Sequence, residues 1–318
     1  MCDKPILYMT VGLPGCGKST WAKNTGLPVF ASDELRKELP DADNYKIFQT
    51  LHKRMKEALM EGQSIIFDAT NLSRKHRRQF IDELSGVECE KICKFFIMPV
   101  EVCKERNSKR YGTARVPEEV YDKMLKSFNV PSCHYDGFDT IEVELYNGDF
   151  KLPDYANLDA FSQDNPHHTE SLGEHLKMAE AAAQRLTEGM DEELASICIT
   201  AARWHDIGKV HTKDYYNAKG EPTEDAHFYS HDNVGAYMYL LKWLKETPEN
   251  MRPDTIEEAM AVTEVINWHM APHTVWKQSE RRRRFDRERL EPDIVTAIDI
   301  VHEADKEAMI EKEEEKEL

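Results

Sequence analysis

The segment Gly12-Leu-Pro-Gly-Cys-Gly-Lys18-Ser19 constrains this chain more than any other part of it. It follows an apolar run at Pro5–Val11 and opens onto Ser19–Asn24, which reads as a helix. Strand, glycine-rich turn and helix, in that order, make a parallel α/β unit. Glycines at 12, 15 and 17 let backbone amides turn toward bound phosphates, and the helix amino end adds its positive potential. Lys18 is placed to bridge the outer phosphates and Ser19 to ligate magnesium. With Gly12, Gly15, Cys16, Gly17 and Thr20 they make up the expected site for ATP or another nucleoside triphosphate with Mg2+.

The pattern continues in kind. Short strands are expected at Val29–Ala31, Ser64–Phe67, Ile92–Met98 and Ile141–Leu145. Helices are expected from Asp33, over Asn44–Glu61 and Arg74–Leu84, from Glu101 to about Arg110, and over Glu118–Phe128 behind Pro117. Composition then shifts: Gly148–Pro166 is polar, carries two prolines and has no sustained period. Beyond it, 172–187, 192–204, 231–246, 255–268 and 292–312 carry apolar residues at helical spacing. The expected organisation is an α/β domain with a parallel sheet over residues 1–150, a linker over 151–165 and an all-α domain over 166–318. Its charged end, Glu311–Leu318, is expected to fray.

Charge divides the chain at the same place. Residues 1–155 carry 23 Lys and Arg against 24 Asp and Glu, whereas residues 156–318 carry 19 against 35. An acidic half of this kind is no clamp for nucleic acid unless bound metal offsets its carboxylates. Ten of the 13 histidines lie in that half, which points to a metal domain. Seven cysteines, Cys2 and the Cys89/Cys93 pair among them, show no repeated ligand spacing and suit reduced thiols. The longest apolar runs are far shorter than a bilayer crossing and no basic-then-apolar leader opens the chain, so the expectation is an unexported, cytoplasmic protein with no membrane partner.

In the first half, Asp33 follows the second strand and Arg36 lies three residues on, near the carboxyl edge where such sheets bind ligands. Asp33 is either a general base for an incoming hydroxyl or a helix cap, and Arg36 either a phosphate holder or a solvated charge. Asp68, after the third strand, serves magnesium through water, shares in acceptor binding or caps a turn. The run Arg106–Arg110, continuing to Arg115, is either a charged surface or a lid over the transferring phosphate. The whole order resembles the kinase domain of phage and bacterial 5′-hydroxyl polynucleotide kinases. It comprises the phosphate loop, Asp33-x-x-Arg36, Asp68-Ala-Thr-Asn71, Arg77-Arg78, Arg106–Arg110 and Val116-Pro117. That resemblance implies Lys18 and Ser19 on the nucleotide, Asp33 as base, Arg36 on the acceptor's phosphate and Arg110 as lid arginine. Ser32 and Glu34 depart from the family's pattern around Asp33.

In the second half, His205-Asp206-Ile-Gly208-Lys209 ends a helix with an imidazole beside a carboxylate. His175, His231 and His269 stand on neighbouring helical segments, and Asp305 falls on a face that would otherwise be apolar. Six N and O donors suit one or two divalent transition ions such as Mn2+, Fe2+, Co2+ or Ni2+, and two ions on a bridging Asp can activate water and clamp a phosphate. The arrangement resembles the HD phosphohydrolase superfamily. By that resemblance His175, His205, Asp206 and Asp305 are the core ligands, His231 and His269 serve a second metal, and Lys209 faces substrate phosphate. Asp299 is the alternative distal carboxylate, and His167, His168, His211 and His273 are expected on loops or the rim.

A kinase for 5′-hydroxyl ends beside a metal phosphoesterase resembles bifunctional enzymes that heal broken RNA or DNA ends before a ligase seals them. The resemblance implies removal of a 3′-phosphate or 2′,3′-cyclic phosphate by the second half, in the cytoplasm of a bacterium or phage-infected cell. A nucleotide or nucleoside-monophosphate phosphohydrolase, or a non-catalytic HD module, is the alternative. Trp276–Arg289, with its run Arg281–Arg284, is the one basic patch of the acidic half and is either a guide for polynucleotide or a solvated helix face.

Overall fold

The computed structural model describes residues 4–112, 115–152, 157–165 and 170–316, with side chains through residue 309. Cys2, His167, His168 and the side chains of the acidic tail lie outside the described residues. The chain divides into two compact units, one of Met1–Met124 with Pro131–Phe150, the other of Leu125–Val130 with Lys151–Leu318.

The first unit runs β1 (Ile6–Val11), α1 (Lys18–Thr25), β2 (Val29–Ala31), α2 (Ser32–Glu38), α3 (Asn44–Met60), β3 (Ile65–Asp68), α4 (Arg74–Glu83), β4 (Glu90–Ile97), α5 (Val100–Ser108), α6 (Glu119–Leu125), α7 (Cys133–Asp136) and β5 (Thr140–Leu145). All five strands are parallel, in the order β2-β3-β1-β4-β5. Crossover helices cover such a sheet on both faces, so its central strands are nearly all apolar: Leu7, Met9, Ile65, Phe95 and Ile97 have no exposed surface. β1 lies between β3 and β4, and the chain leaves its carboxyl end directly into the glycine-rich loop. That is where an open α/β sheet offers its crevice.

Arg77 is the largest fully buried side chain of this unit. Its guanidinium meets Asp136 Oδ2 at 2.7 Å and donates to the carbonyls of Asn71 and Leu72 at 3.0 and 2.9 Å. The end of the Asp68–Asn71 turn is thereby fastened to α4 and α7. Asn71, in a left-handed conformation with φ 45°, donates in turn to the Thr10 carbonyl at 2.9 Å.

The second unit runs α8 (Leu172–Leu186), α9 (Glu192–Trp204), α10 (Lys209–Thr212), β6 (Asp214–Tyr216), β7 (Pro222–His227), α11 (His231–Glu246), α12 (Arg252–Trp268), α13 (Val275–Gln278), α14 (Glu280–Arg287) and α15 (Pro292–Lys316). α8 starts at a capping box in which Ser171 and Glu174 satisfy each other's backbone amides. Leu172, Leu176, Ile207, Val234 and Met238 form one buried cluster that Trp204 and Val210 extend.

Two features depart from the sequence reading. The antiparallel hairpin β6–β7 interrupts the expected all-helical run. Its strands show no apolar alternation, since Ala226 alone among them is buried, and so the period that betrays a strand is absent. The helix expected over Glu118–Phe128 stops at Leu125. Leu125–Val130 goes instead with the second unit, where Phe128 packs edge-on against Tyr237 with ring centroids 4.9 Å apart. Asn267 there accepts from the Val130 amide at 2.8 Å and donates to the Phe128 carbonyl at 3.2 Å. Tertiary hydrogen bonds thus replace the helical ones.

Candidate active sites

In the first unit the phosphate loop closes on itself through Lys18. Its ammonium donates to the carbonyls of Gly12 and Leu13 at 2.9 and 2.8 Å, which holds a buried charge ready for phosphate oxygens. Gly15, at φ 88°, has no alternative, because a Cβ there would lie 2.4 Å from the Cys103 carbonyl oxygen. Ser19 and Thr20 follow Lys18 in the first turn of α1. Cys16, buried, lies inside the loop. Asp68 accepts from Thr10 Oγ1 at 3.3 Å, and the Gly12 amide donates to the Thr70 carbonyl at 3.0 Å, so the loop and the turn after β3 form one piece.

Asp33 and Arg36 occupy the first turns of α2. The Arg36 guanidinium donates to Asp33 Oδ1 at 3.1 Å, to Ser32 Oγ at 3.0 Å and to Asn44 Oδ1 at 3.1 Å. Asp33 stays open to solvent, with 77% of its side chain exposed. Arg110, half-buried, follows α5. Burial pushes the Cys103 thiol well up, while Lys18, Arg106 and Arg110 pull it the other way. The close approach of Gly15 to the Cys103 carbonyl sets the loop against α5, the helix that carries Arg106. Arg115 is exposed.

In the second unit the predicted donors meet. His205 and Asp206 follow α9, His175 comes from α8, His231 opens α11, His269 ends α12 and Asp305 comes from α15. They fall into two sets, His175/His205/Asp305 and Asp206/His231/His269. Asp206 reaches both: its Oδ2 stands 3.5 and 3.3 Å from the Nε2 atoms of His175 and His205, and its Oδ1 stands 3.0 and 3.5 Å from those of His231 and His269. Asp305 Oδ1 stands 3.1 Å from His175 Nε2 and 3.6 Å from His205 Nε2. Gly208 makes the closure possible. A Cβ there would lie 2.0 Å from the His231 carbonyl oxygen, so only glycine lets α11 approach the Asp206 turn.

The chemistry of these donors fits divalent ions. His205, His231 and His269 each place Nδ1 2.7 to 2.8 Å from a carbonyl oxygen three residues earlier. That bond assigns the hydrogen to Nδ1 and leaves the Nε2 lone pair facing inward. The inward nitrogens stand 3.3 Å apart for His175 and His205 and 3.1 Å for His231 and His269. Two lone pairs at that separation repel unless a cation lies between them. Without an ion, protons must serve: burial opposes a charge on His205, but Asp206 and Asp305 outweigh it and push that imidazole up to about 10. Burial likewise disfavours charged Asp206 and Asp305, yet Lys209 and His205 hold the first, and His175, His205 and His273 the second, well below the carboxylate range. His175 and His269 sit below the ordinary imidazole value because burial penalises their charged form.

A model of the AAA domain family matches residues 7–131, and one of the HD domain family matches residues 172–310. The chain joins an AAA-type P-loop NTPase domain to an HD-superfamily domain. It is 31% identical over 145 residues to the transcription factor bHLH140 of Arabidopsis thaliana, covering 43% of this chain and 16% of that one. It is 26% identical over 150 residues to the L-seryl-tRNA(Sec) kinase of Methanococcus maripaludis, covering 41% of this chain and 55% of that one. The chain thus spans 16% and 55% of the lengths of these two curated relatives. Among solved structures, a chain of the Pnkp1/Rnl/Hen1 complex is 23% identical with a TM-score of 0.28, over 36% of this chain and 41% of that one.

Lys209 is buried against Asp206 Oδ2 at 2.6 Å and Gln163 Oε1 at 2.9 Å. Asp299 is held by Arg287 in a two-pronged pair at 2.7 and 2.8 Å, away from the donor sets. His211 is exposed. His273 is more than a rim residue, since its Nε2 lies 3.1 Å from Asp305 Oδ2. Within the basic run, Arg282 is tied to Asp286 at 2.7 Å, and Asp286 also accepts from the buried Trp276 indole. Residues that the sequence reading passed over include Gln163 and Glu170, whose carboxylate stands 3.6 Å from His175 Nδ1. Their only advance signal was nearness to His175 in sequence. Among the described residues no helix is long and apolar enough to cross a membrane.

Proposed function

We propose that the protein heals nucleic-acid ends: the P-loop domain phosphorylates a 5′-hydroxyl with ATP, and the HD domain removes a 3′-phosphate or opens and removes a 2′,3′-cyclic phosphate. The observation that carries the reading is the carboxylate of Asp206, whose two oxygens serve two separate donor sets in a chain that also holds a phosphate loop. Phosphate chemistry in both halves is the common thread. The sequence order from Asp33 to Arg110 supports a polynucleotide as acceptor, and one relative is named as a kinase for a seryl group on tRNA.

In the kinase, Lys18 and the loop amides hold the outer phosphates and Ser19 the magnesium. Asp33 takes the acceptor's proton, Arg36 binds the acceptor's adjoining phosphate, and Arg110 follows the charge of the transferring group. In the HD domain His175, His205, Asp206 and Asp305 would hold one ion, and Asp206, His231 and His269 a second. Bound ions lower the pKa of water and neutralise phosphate oxygens. The protein keeps His205, His231 and His269 in the ligating tautomer and supplies the bridging carboxylate.

Defined RNA and DNA oligonucleotides with 5′-hydroxyl and either 3′-phosphate or 2′,3′-cyclic phosphate ends, incubated with ATP and single divalent ions, test both activities. Both ends should be processed, and Asp206→Ala should lose the phosphoesterase and its metal while keeping the kinase. Preference for free nucleosides as acceptors would overturn the polynucleotide reading. Hydrolysis confined to mononucleotides would replace it with a nucleotidase.

A further inference from the structure

Asp305 has a second oxygen that neither donor set uses. Oδ2 stands 3.1 Å from His273 Nε2, and the same nitrogen stands 3.0 Å from His302 Nδ1. His302 and Asp305 lie three residues apart on α15, which puts them on one face of the helix, and His273 lies four residues beyond His269. The His273 side chain is 27% exposed, against 8% for His231 and less for the other imidazoles of the two inner sets, so this cluster opens toward solvent.

Hydrogen bonding alone serves these three atoms poorly. A neutral imidazole has one N–H and one lone pair. If His273 Nε2 carries the hydrogen, it can point at the carboxylate or at His302 but cannot align with both. If it carries the lone pair, that lone pair faces a carboxylate oxygen at 3.1 Å. A cation beside His273 Nε2 would remove the conflict by taking the lone pairs that hydrogen bonds leave facing one another. Donors at about 2.1 Å from an ion stand roughly 3.0 Å apart at right angles and ~3.4 Å apart at tetrahedral angles. The 3.0 and 3.1 Å separations here match the first, and they repeat the 3.1 and 3.3 Å nitrogen spacings of the two inner sets.

We propose that Asp305 Oδ2, His273 Nε2 and His302 Nδ1 form a third divalent-cation site. Two imidazoles and one carboxylate suit a borderline ion such as Mn2+, Fe2+ or Zn2+ and leave coordination positions for water or a phosphate oxygen of a substrate. The inference rests on the two-ion reading of the inner sets, because it shares Asp305 with them.

The test is the ion content of the full-length chain, stripped with chelator, reloaded with Mn2+ without nucleotide and desalted. The expected result is three ions per chain in the wild type and two in His302→Ala and in His273→Ala. A metal-edge anomalous peak beside both imidazoles of the loaded wild type should accompany it, and decides the matter if either variant fails to fold. Two ions in the wild type, unchanged in the variants, would make His302 and His273 a hydrogen-bonded chain only. Three ions retained in both variants overturns the site equally. Fewer than two in the wild type sinks the two-ion centre and this site together.

Discussion

Lys209 Nζ donates to Asp206 Oδ2 at 2.6 Å, from a side chain as buried as its partner's, at 8% and 5% exposure. Its ammonium is therefore the fixed charge that faces, from inside the protein, the carboxylate between the two donor sets. Removing one member of such a buried pair costs about 3 to 5 kcal/mol. Lys209→Met should accordingly lower the melting temperature of the metal-free protein. Added Mn2+ supplies positive charge at the same carboxylate, so the variant should gain more from it than the wild type does. Melts with EDTA and with Mn2+ check this, and equal gains would show that Lys209 and the ions do not share Asp206.

The metal-free centre also makes a pH prediction. His205 is raised in the folded state to about 10, from an unfolded value of about 6.5. Its contribution to stability is therefore complete below about pH 6.5 and is lost as pH climbs through about 10. With chelator present, the stability advantage of wild type over His205→Gln should shrink across that window. Ion binding displaces the same proton, so loading should release protons to the buffer below pH 10. Isothermal titration in buffers of different ionisation enthalpy would reveal a release of none.

Alanine at Lys18, Asp33 or Arg110 should lower 5′ phosphorylation by roughly 10² to 10³, the loss of about 3 to 4 kcal/mol of transition-state contact. Hydrolysis of the 3′ end should be untouched. Near-normal turnover in Asp33→Ala would remove it as the base, leaving its pair with Arg36 as its role.

Arg77 predicts the opposite kind of loss. It is buried with Asp136 and holds the Asn71 turn, so Arg77→Met should destabilise the first unit by about 3 to 5 kcal/mol. Folded variant that survives at low temperature should retain kinase activity. A well-folded, inactive Arg77→Met would assign it to chemistry instead.

The sequence by itself determined the phosphate loop, the parallel unit around it and six donors for metal. Those signals are local: glycines at fixed offsets, an apolar strand before a helix, an imidazole beside a carboxylate at a helix end. The hairpin β6–β7 and the early end of α6 were hidden because neither follows from local periodicity. One has polar strands, and the other is decided by Asn267 some 140 residues away, as its 2.8 Å bond to Val130 spans 137 positions. Tertiary structure alone divided the donors into two sets with Asp206 between them, and separated Asp299, taken by Arg287, from Asp305. It also turned Arg77 from a motif residue into a buried anchor and brought His273 and His302 to Asp305. Residue type announces what a side chain can bind, but which lone pairs converge depends on how helices distant in sequence pack, and that is a property of the assembled core.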